Sequence, residues 1–354
     1  MGKDNKIINK GANVAGGNGN LFQVEAAVYM FLENIGNCLY VSVEDADDIR
    51  ITLKDTGEEI VAQAKSSLDE RILEGHSGDI YKSFASFDRC KKSGVNASEY
   101  CCVFNYIFPF GKDKLSFFDY KAQSLTRSFS ELPENVKQLL TDEHNKKTYS
   151  FEIEKTTYKY IWYENDKRTI KNVVTTNKIR EFIEKTGIDN VNSTTLYQRL
   201  FSILSHNQGE KKSRVDGDIL LGVIFDESSG SKQKMFSVFS LLFTQFGGID
   251  SMAIKNEYNS LFGKNLRFDF FSKVNSFYFN YLKNNSRQIS DEHYVNVSKL
   301  FYDEHKDDED LKRIITPGEN YDIRRELLVR MAAIQAMIHF DEIDKIEKVI
   351  EHEN

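Results

Sequence analysis

The chain has 354 residues, 40% of them hydrophobic and 12% aromatic, and at roughly 100–200 residues per domain that length predicts two domains. No apolar run approaches the roughly 18 residues of a membrane-spanning helix, and with a mean hydropathy of -0.49 an integral membrane protein of that kind is excluded. Lys and Arg number 47 against 54 Asp and Glu, a net charge of -7, which speaks against a protein that coats nucleic acid through bulk positive charge.

Taken in chain order, residues 1–20 are polar and glycine-rich, with no apolar leader core. They read as a flexible arm ending in Gly16-Gly17-Asn18-Gly19-Asn20, and no secretory leader is expected. From Leu21 to Ile35 the apolar residues recur at three-to-four spacing, which predicts a helix capped by Asn20 and stopped by Gly36. Strand-like runs follow at Leu39–Val43, Asp48–Leu53 and Glu59–Lys65, then a helix over Asp79–Lys92. Tyr100–Phe108 is a continuous β-favouring run, the pattern of a central strand buried on both faces. Helices are expected at Leu132–Glu143, Asn177–Lys185 and Thr194–His206, with a strand at Tyr158–Tyr163. Beyond a polar linker at Asn207–Arg214 the pattern is mostly helical: Lys232–Phe246, Met252–Phe262, Phe268–Lys283, His293–His305 and one long helix over Tyr321–Glu351. A boundary near residue 215 therefore separates an α/β domain, 1–215, from a helical domain, 216–354. The aromatic stretch Phe268–Tyr281 is either a core helix or an interface with a partner or another copy of the chain.

Cys38, Cys90, Cys101 and Cys102 form no CxxC pair, and the seven histidines make no HExxH. Zinc chemistry and a disulfide framework find no support, and buried thiols in a cytoplasmic protein are expected.

The segment from Asp48 to Lys65 carries the chemistry. With Lys54-Asp55-Thr56-Gly57 as the hairpin loop and Gly57 supplying a positive φ, Leu53 faces Glu58, Ile51 faces Ile60, Ile49 faces Ala62 and Asp48 faces Gln63. Directly opposed residues share a face of the sheet. The isoleucines and Ala62 then pack on one side, while Asp48, Gln63 and Lys65 gather on the other; a slip of one residue would scatter them. One carboxylate, one carboxamide and one ammonium at the open end of a β-ribbon suit cation-assisted phosphodiester hydrolysis. Mg²⁺ takes oxygen ligands and usually only one or two carboxylates. Asp48 and Gln63 offer such oxygens, with the Ala64 carbonyl as a further donor, and Lys65 can orient the attacking water and offset charge on the phosphorane. Gln63 is neutral, so another acid is expected. Read alone, Glu25 is a solvated helix residue; beside the hairpin it becomes a third oxygen donor, with Glu44 and Asp47 as alternatives. The glycine cluster is not a Walker loop, since no GK[ST] follows it.

The order of the glycine-rich arm, the helix LFQVEAAVYMFL with Gln23 and Glu25, then VEDADDIRI, VAQAK and CVFNYIF resembles the PD-(D/E)XK endonucleases. In particular it looks like the CD-NTase-associated nuclease family of bacterial anti-phage systems in its Gln-x-Lys form, and most like the nuclease subunits of Lamassu-type defence systems. The resemblance covers residues 10–110 and extends loosely to 215. It implies a restriction-endonuclease-like core, a mixed sheet flanked by helices, with a mainly helical C-terminal domain. It also implies that Asp48, Gln63 and Lys65 take the places of the family's metal-binding acid, its acid-or-Gln position and its lysine, with Glu25 as a first-helix acid and Mg²⁺ or Mn²⁺ as cofactor. Double-stranded DNA would be the substrate, and an SMC-like ATPase and a small accessory subunit would be the partners, with homo-oligomers as the active form. Two rivals stand beside that reading: a nuclease-fold subunit that senses or scaffolds DNA without cutting it, and an RNA-directed nuclease.

Overall fold

The structure is a computed structural model that describes residues 10–43, 48–66, 77–106, 123–162, 164–165, 170–189, 191–207, 214–229, 233–247, 249–285, 289–314 and 321–352. Their contacts divide the chain into two compact units, Met1–Lys178 with Phe201–Val215, and Ile179–Leu200 with Asp216–Asn354. None of the described helices is long and apolar enough to cross a membrane.

The first unit is built on a mixed seven-stranded sheet. Helix α1 (Lys10–Glu33) leads into β1 (Cys38–Val43), β2 (Ile49–Leu53) and β3 (Glu59–Lys65), an antiparallel meander. Helix α2 (Ser77–Lys92) then crosses over to β4 (Ala97–Phe104), which lies parallel to β3. Next come β5 (Ser124–Ser128), α3 (Glu134–Lys146) and β6 (Thr156–Ile161); β6 runs parallel to β4 and antiparallel to β5. With the two-residue β9 (Val215–Asp216) at the far edge, the strand order is β5-β6-β4-β3-β2-β1-β9. A separate small ribbon pairs β7 (Glu164–Asn165) with β8 (Ile170–Lys171). A mixed seven-stranded sheet flanked by helices, followed by a mostly helical C-terminal region, is consistent with a generic restriction-endonuclease-like α/β architecture.

Both faces of the central strands are covered, which is why Tyr100–Phe104 reads as an unbroken apolar run. On one face Val61, Tyr100, Cys102 and Phe104 join Ile80, Phe84 and Phe87 of α2, Val136 and Leu140 of α3, and Phe151. Phe151 sits 5.1 Å from Tyr100 and 5.3 Å from Phe84, centroid to centroid, in tilted and edge-on arrangements that favour aromatic pairs. Helix α1 packs on β1, β2 and β3. Phe22 and every residue from Val24 to Leu32 are buried, so this part of α1 is enclosed nearly all round, where the sequence predicts one apolar stripe. The expected arm up to Asn20 also gives way: α1 already begins at Lys10 and runs through Gly16–Gly19. A helical glycine costs about 1 kcal/mol relative to Ala, but extending a helix that a buried segment has nucleated costs little. The four cysteines are buried thiols.

The second unit contains helices α6 (Gly217–Ser228), α7 (Gln233–Thr244), α8 (Ser251–Leu261), α9 (Phe268–Asn284), α10 (Asp291–His305), α11 (Glu309–Lys312), α12 (Tyr321–Ile338) and α13 (Phe340–His352). Helices α4 (Val173–Thr186) and α5 (Ser193–His206) precede them in the chain. The single long helix expected from Tyr321 is two helices, broken at His339. Leu327–Met337 is buried all round, whereas α13 buries one stripe of Ile343, Ile346 and Val349. No Gly or Pro marks the change, so the sequence carried no stop signal. Helix α12 packs against α7, α8, α9 and α10, and its buried Arg330 is neutralised by Glu326 at 3.0 Å and bonded to Gln245 at 2.8 Å and to the Val295 carbonyl at 3.1 Å. Phe268, Phe270, Phe271, Val274 and Tyr278 of α9 are core residues, while Phe279 is exposed with Lys283 over its ring.

Candidate active site

The hairpin forms in the expected register. Ile49 pairs with Ala62 and Ile51 with Ile60, Leu53 N–H donates to the Glu58 carbonyl at 2.9 Å, and Gly57 takes φ 67°, a left-handed conformation that only glycine adopts without strain. The loop has a support that periodicity does not show. Asn37 Oδ1 accepts the N–H groups of Lys54 and Asp55 at 3.0 and 3.2 Å, and Asn37 Nδ2 donates to Asp55 at 2.8 Å.

At the open end of that hairpin three side chains meet. Asp48, one residue ahead of β2, accepts the Ala64 N–H on Oδ2 at 2.8 Å, and Lys65 Nζ lies 3.4 Å from the same oxygen. Lys65 Nζ donates to Gln63 Oε1 at 2.8 Å. Gln63 and Lys65 share a face of β3 with Val61 by strand alternation, and Val61 belongs to the core that α2 covers. Gln63 is buried, whereas the side chains of Asp48 and Lys65 keep 16% and 25% of their surface exposed. The group is therefore rooted in the core but open to solvent at its charged ends. Burial raises the Asp48 carboxyl above its ordinary range, against the Lys65 charge, the Ala64 N–H and a hydrogen bond from Gln23.

Topology adds neighbours. Strands β3 and β4 are parallel, with Lys65 beside Phe104 at their carboxyl ends, and the start of a crossover helix lies above those ends, where open α/β sheets place their ligands. The Lys65 carbonyl accepts Asn105 N–H at 3.4 Å. The next residue, Tyr106, donates through its hydroxyl to Asp79 Oδ2 at 2.8 Å, in the first turn of α2. Burial, then Asp79, raises the Tyr106 phenol far above its usual range, so it remains a donor. Cys102 bonds with Ser83, and burial pushes its thiol up to about 12, which leaves it neutral beside Lys65.

Glu25 is fully buried on α1, not solvated, and it accepts the hydroxyl hydrogen bond of Thr175. Residues two apart on a helix do not face one another, so Gln23, which reaches Asp48, and Glu25 leave α1 in different directions. Glu44 and Asp47 lie outside the described residues. The residues that sequence reasoning left without a role are Gln23, Asn37, Asp79, Tyr106 and Thr175. All act across separate elements, and only Gln23 and Tyr106 stood within segments that carry the resemblance.

As donors, Asp48 Oδ2 and Gln63 Oε1 converge on one point, now held by the Lys65 ammonium, with the Ala64 carbonyl nearby in the chain. An all-oxygen set with a single carboxylate fits a hard cation that completes its shell with water and phosphate. Among the described residues no group of three or more His, Cys, Asp or Glu could hold a metal by itself. No protein-family model matches the sequence, nor does any curated protein or solved structure.

Proposed function

We propose that the chain is a metal-dependent endonuclease of the PD-(D/E)XK type that cuts double-stranded DNA. The observation that carries this reading is the convergence of Asp48, Gln63 and Lys65 through contacts of 2.8 and 3.4 Å, on an α/β core of the kind seen in nuclease-fold proteins. Asp48 and Gln63 are the residues to hold Mg²⁺ or Mn²⁺, which supplies an acidified water and shields the scissile phosphate when bound. Ala64 N–H and Gln23 orient the Asp48 carboxylate. Lys65, charged and at the solvent-facing end of the group, aligns the attacking water and offsets the charge that grows on phosphorus.

In the same proposal the protein is the nuclease effector of a Lamassu-type anti-phage complex, a member of the CD-NTase-associated nuclease family. It would be held there by an SMC-like ATPase and a small accessory subunit, and would act as a homo-oligomer. With a net charge of -7, the chain depends on assembly for much of its hold on DNA phosphates.

A second reading, a nuclease-fold subunit that senses or scaffolds DNA without cutting, is favoured by the single carboxylate that the described residues bring beside Gln63 and Lys65. Incubating the purified protein with plasmid DNA and Mg²⁺ or Mn²⁺ separates the two. Cleavage that Lys65→Ala abolishes supports the enzyme. Equal inertness of both proteins, at high concentration and with the SMC-like partner present, removes it. Cleavage of structured RNA in preference to the plasmid would move the substrate class to RNA.

A further inference from the structure

Lys65 stands where the two oxygens of the site converge. Its Nζ is 2.8 Å from Gln63 Oε1 and 3.4 Å from Asp48 Oδ2. A magnesium ion drawn to the same two oxygens would contend with the ammonium that both of them now contact. Two cations so close in a half-buried site repel one another. A site with two carboxylates could hold both. Here Gln63 brings no charge, so among the described residues ammonium and cation compete for the Asp48 carboxylate.

We propose that Lys65 is a built-in competitor of the divalent cation, an autoinhibitory contact that a substrate phosphate releases; this rests on the metal-dependent reading of the same site. A phosphodiester offers the ammonium an anionic partner of its own. Lys65 turns to it, Asp48 and Gln63 are freed for the cation, and DNA and cation each strengthen the binding of the other by the same factor. Lys65 then has two positions with two tasks: it fills the cation's place at rest and faces the phosphate in the working complex.

The test is Mn²⁺ binding to the full chain without DNA, followed by the electron paramagnetic resonance signal of the free ion. The variants are Lys65→Met, which keeps the length of the side chain, Lys65→Gln as a second neutral form, and Asp48→Asn. Circular dichroism melts check that each is folded. Both Lys65 variants are expected to bind Mn²⁺ about tenfold more tightly than the wild type, the gain from removing one partly exposed ammonium contact and its repulsion. Asp48→Asn should bind more weakly. A nuclease-resistant phosphorothioate duplex should tighten Mn²⁺ binding to the wild type by a larger factor than to Lys65→Met, because the phosphate ligand is common to both and only the wild type also releases its ammonium. Equal or weaker binding by the Lys65 variants overturns the competitor, as does a wild type that binds no Mn²⁺ alongside variants that bind none. The cleavage assay stays independent. A wild type that cuts DNA while Lys65→Met gains no affinity sinks only the competitor, and an inert wild type whose Lys65→Met binds more tightly sinks only the nuclease.

Discussion

The side-chain amide of Gln23 on α1 donates a hydrogen bond to the carboxylate of Asp48 at the edge of β2. A charged acceptor held by the backbone N–H of Ala64 on one side and by a helix-borne amide on another has little rotational freedom. That is the role of the outer ligands that orient metal-binding carboxylates. Gln23→Ala is therefore expected to lower the cleavage rate about 10- to 100-fold, the usual cost of losing such a partner, and to raise the Mn²⁺ concentration needed for half-maximal rate. The melting temperature should stay near that of the wild type. A variant with unchanged rate and unchanged Mn²⁺ requirement would show that Ala64 suffices to hold Asp48.

The protonation of Asp48 makes a second expectation. Burial, the largest influence, raises its carboxyl above the ordinary 3.8. A carboxyl whose pKa is higher folded than unfolded binds protons more readily in the native state. The stability it contributes is present below the unfolded pKa and lost as pH rises through the folded one. At neutral pH the ionised Asp48 thus works against folding, a common condition of functional groups. Asp48→Asn, which keeps an oxygen for the Ala64 N–H, should melt higher than the wild type at pH 7. The difference should close as pH is lowered below about 4, where the wild-type carboxyl is itself neutral. Cleavage should fall at least a hundredfold with the carboxylate that Lys65 and the Ala64 N–H contact gone. A lower melting temperature for the variant at pH 7 would mean that the contact with Lys65 outweighs the cost of burial.

Local patterning and tertiary context part company in particular residues. The hairpin was legible because its signals agree: alternation set the faces, and Gly57 set the turn and hence the register that brings Asp48 beside Ala64 and Lys65. The run over Tyr100–Phe104 was legible because burial on both faces leaves a continuous apolar stretch. Helix α6 was not. Its segment Leu220–Phe225 is buried throughout, and an apolar run enclosed on all sides loses the 3.6-residue rhythm that separates helix from strand. The edge strand β5 was missed for the opposite reason, since all five of its residues keep some exposure and little apolar signal remains. Within the site, alternation could gather Asp48, Gln63 and Lys65, because they lie on one ribbon. It could not show that Gln23 reaches Asp48, because that depends on how α1 is rotated against the sheet.

The helical unit offers a test of packing. At Gly222 on α6 an added Cβ would fall 2.5 Å from the carbonyl oxygen of Leu266, a backbone atom between α8 and α9 that cannot rotate away. Alanine in place of a helical glycine gains about 1 kcal/mol of helix propensity, but forcing apart two packed segments costs about 1–3 kcal/mol. The second effect should prevail. Gly222→Ala is expected to lower the urea midpoint of the helical unit, and a rise in that midpoint would show that the Leu266 segment yields without strain.

Thr175 decides what Glu25 does. The Glu25 carboxylate is fully buried and accepts the Thr175 hydroxyl, which ties α1 to the first turn of α4. Replacing Thr175 with valine keeps the shape and removes the donor, and a buried acceptor that loses a partner costs about 1–3 kcal/mol. Thr175→Val should therefore melt several degrees lower than the wild type while cutting DNA at the same rate, and with the same Mn²⁺ requirement, at temperatures where both are folded. Were Glu25 a ligand of the cation, its carboxylate would be drawn to the Asp48 side of α1. The hydroxyl would then matter to the Mn²⁺ requirement more than to the melt. A raised Mn²⁺ requirement with an unchanged melting temperature would place Glu25 at the metal site, and the reverse result assigns it to holding the helix against the fold.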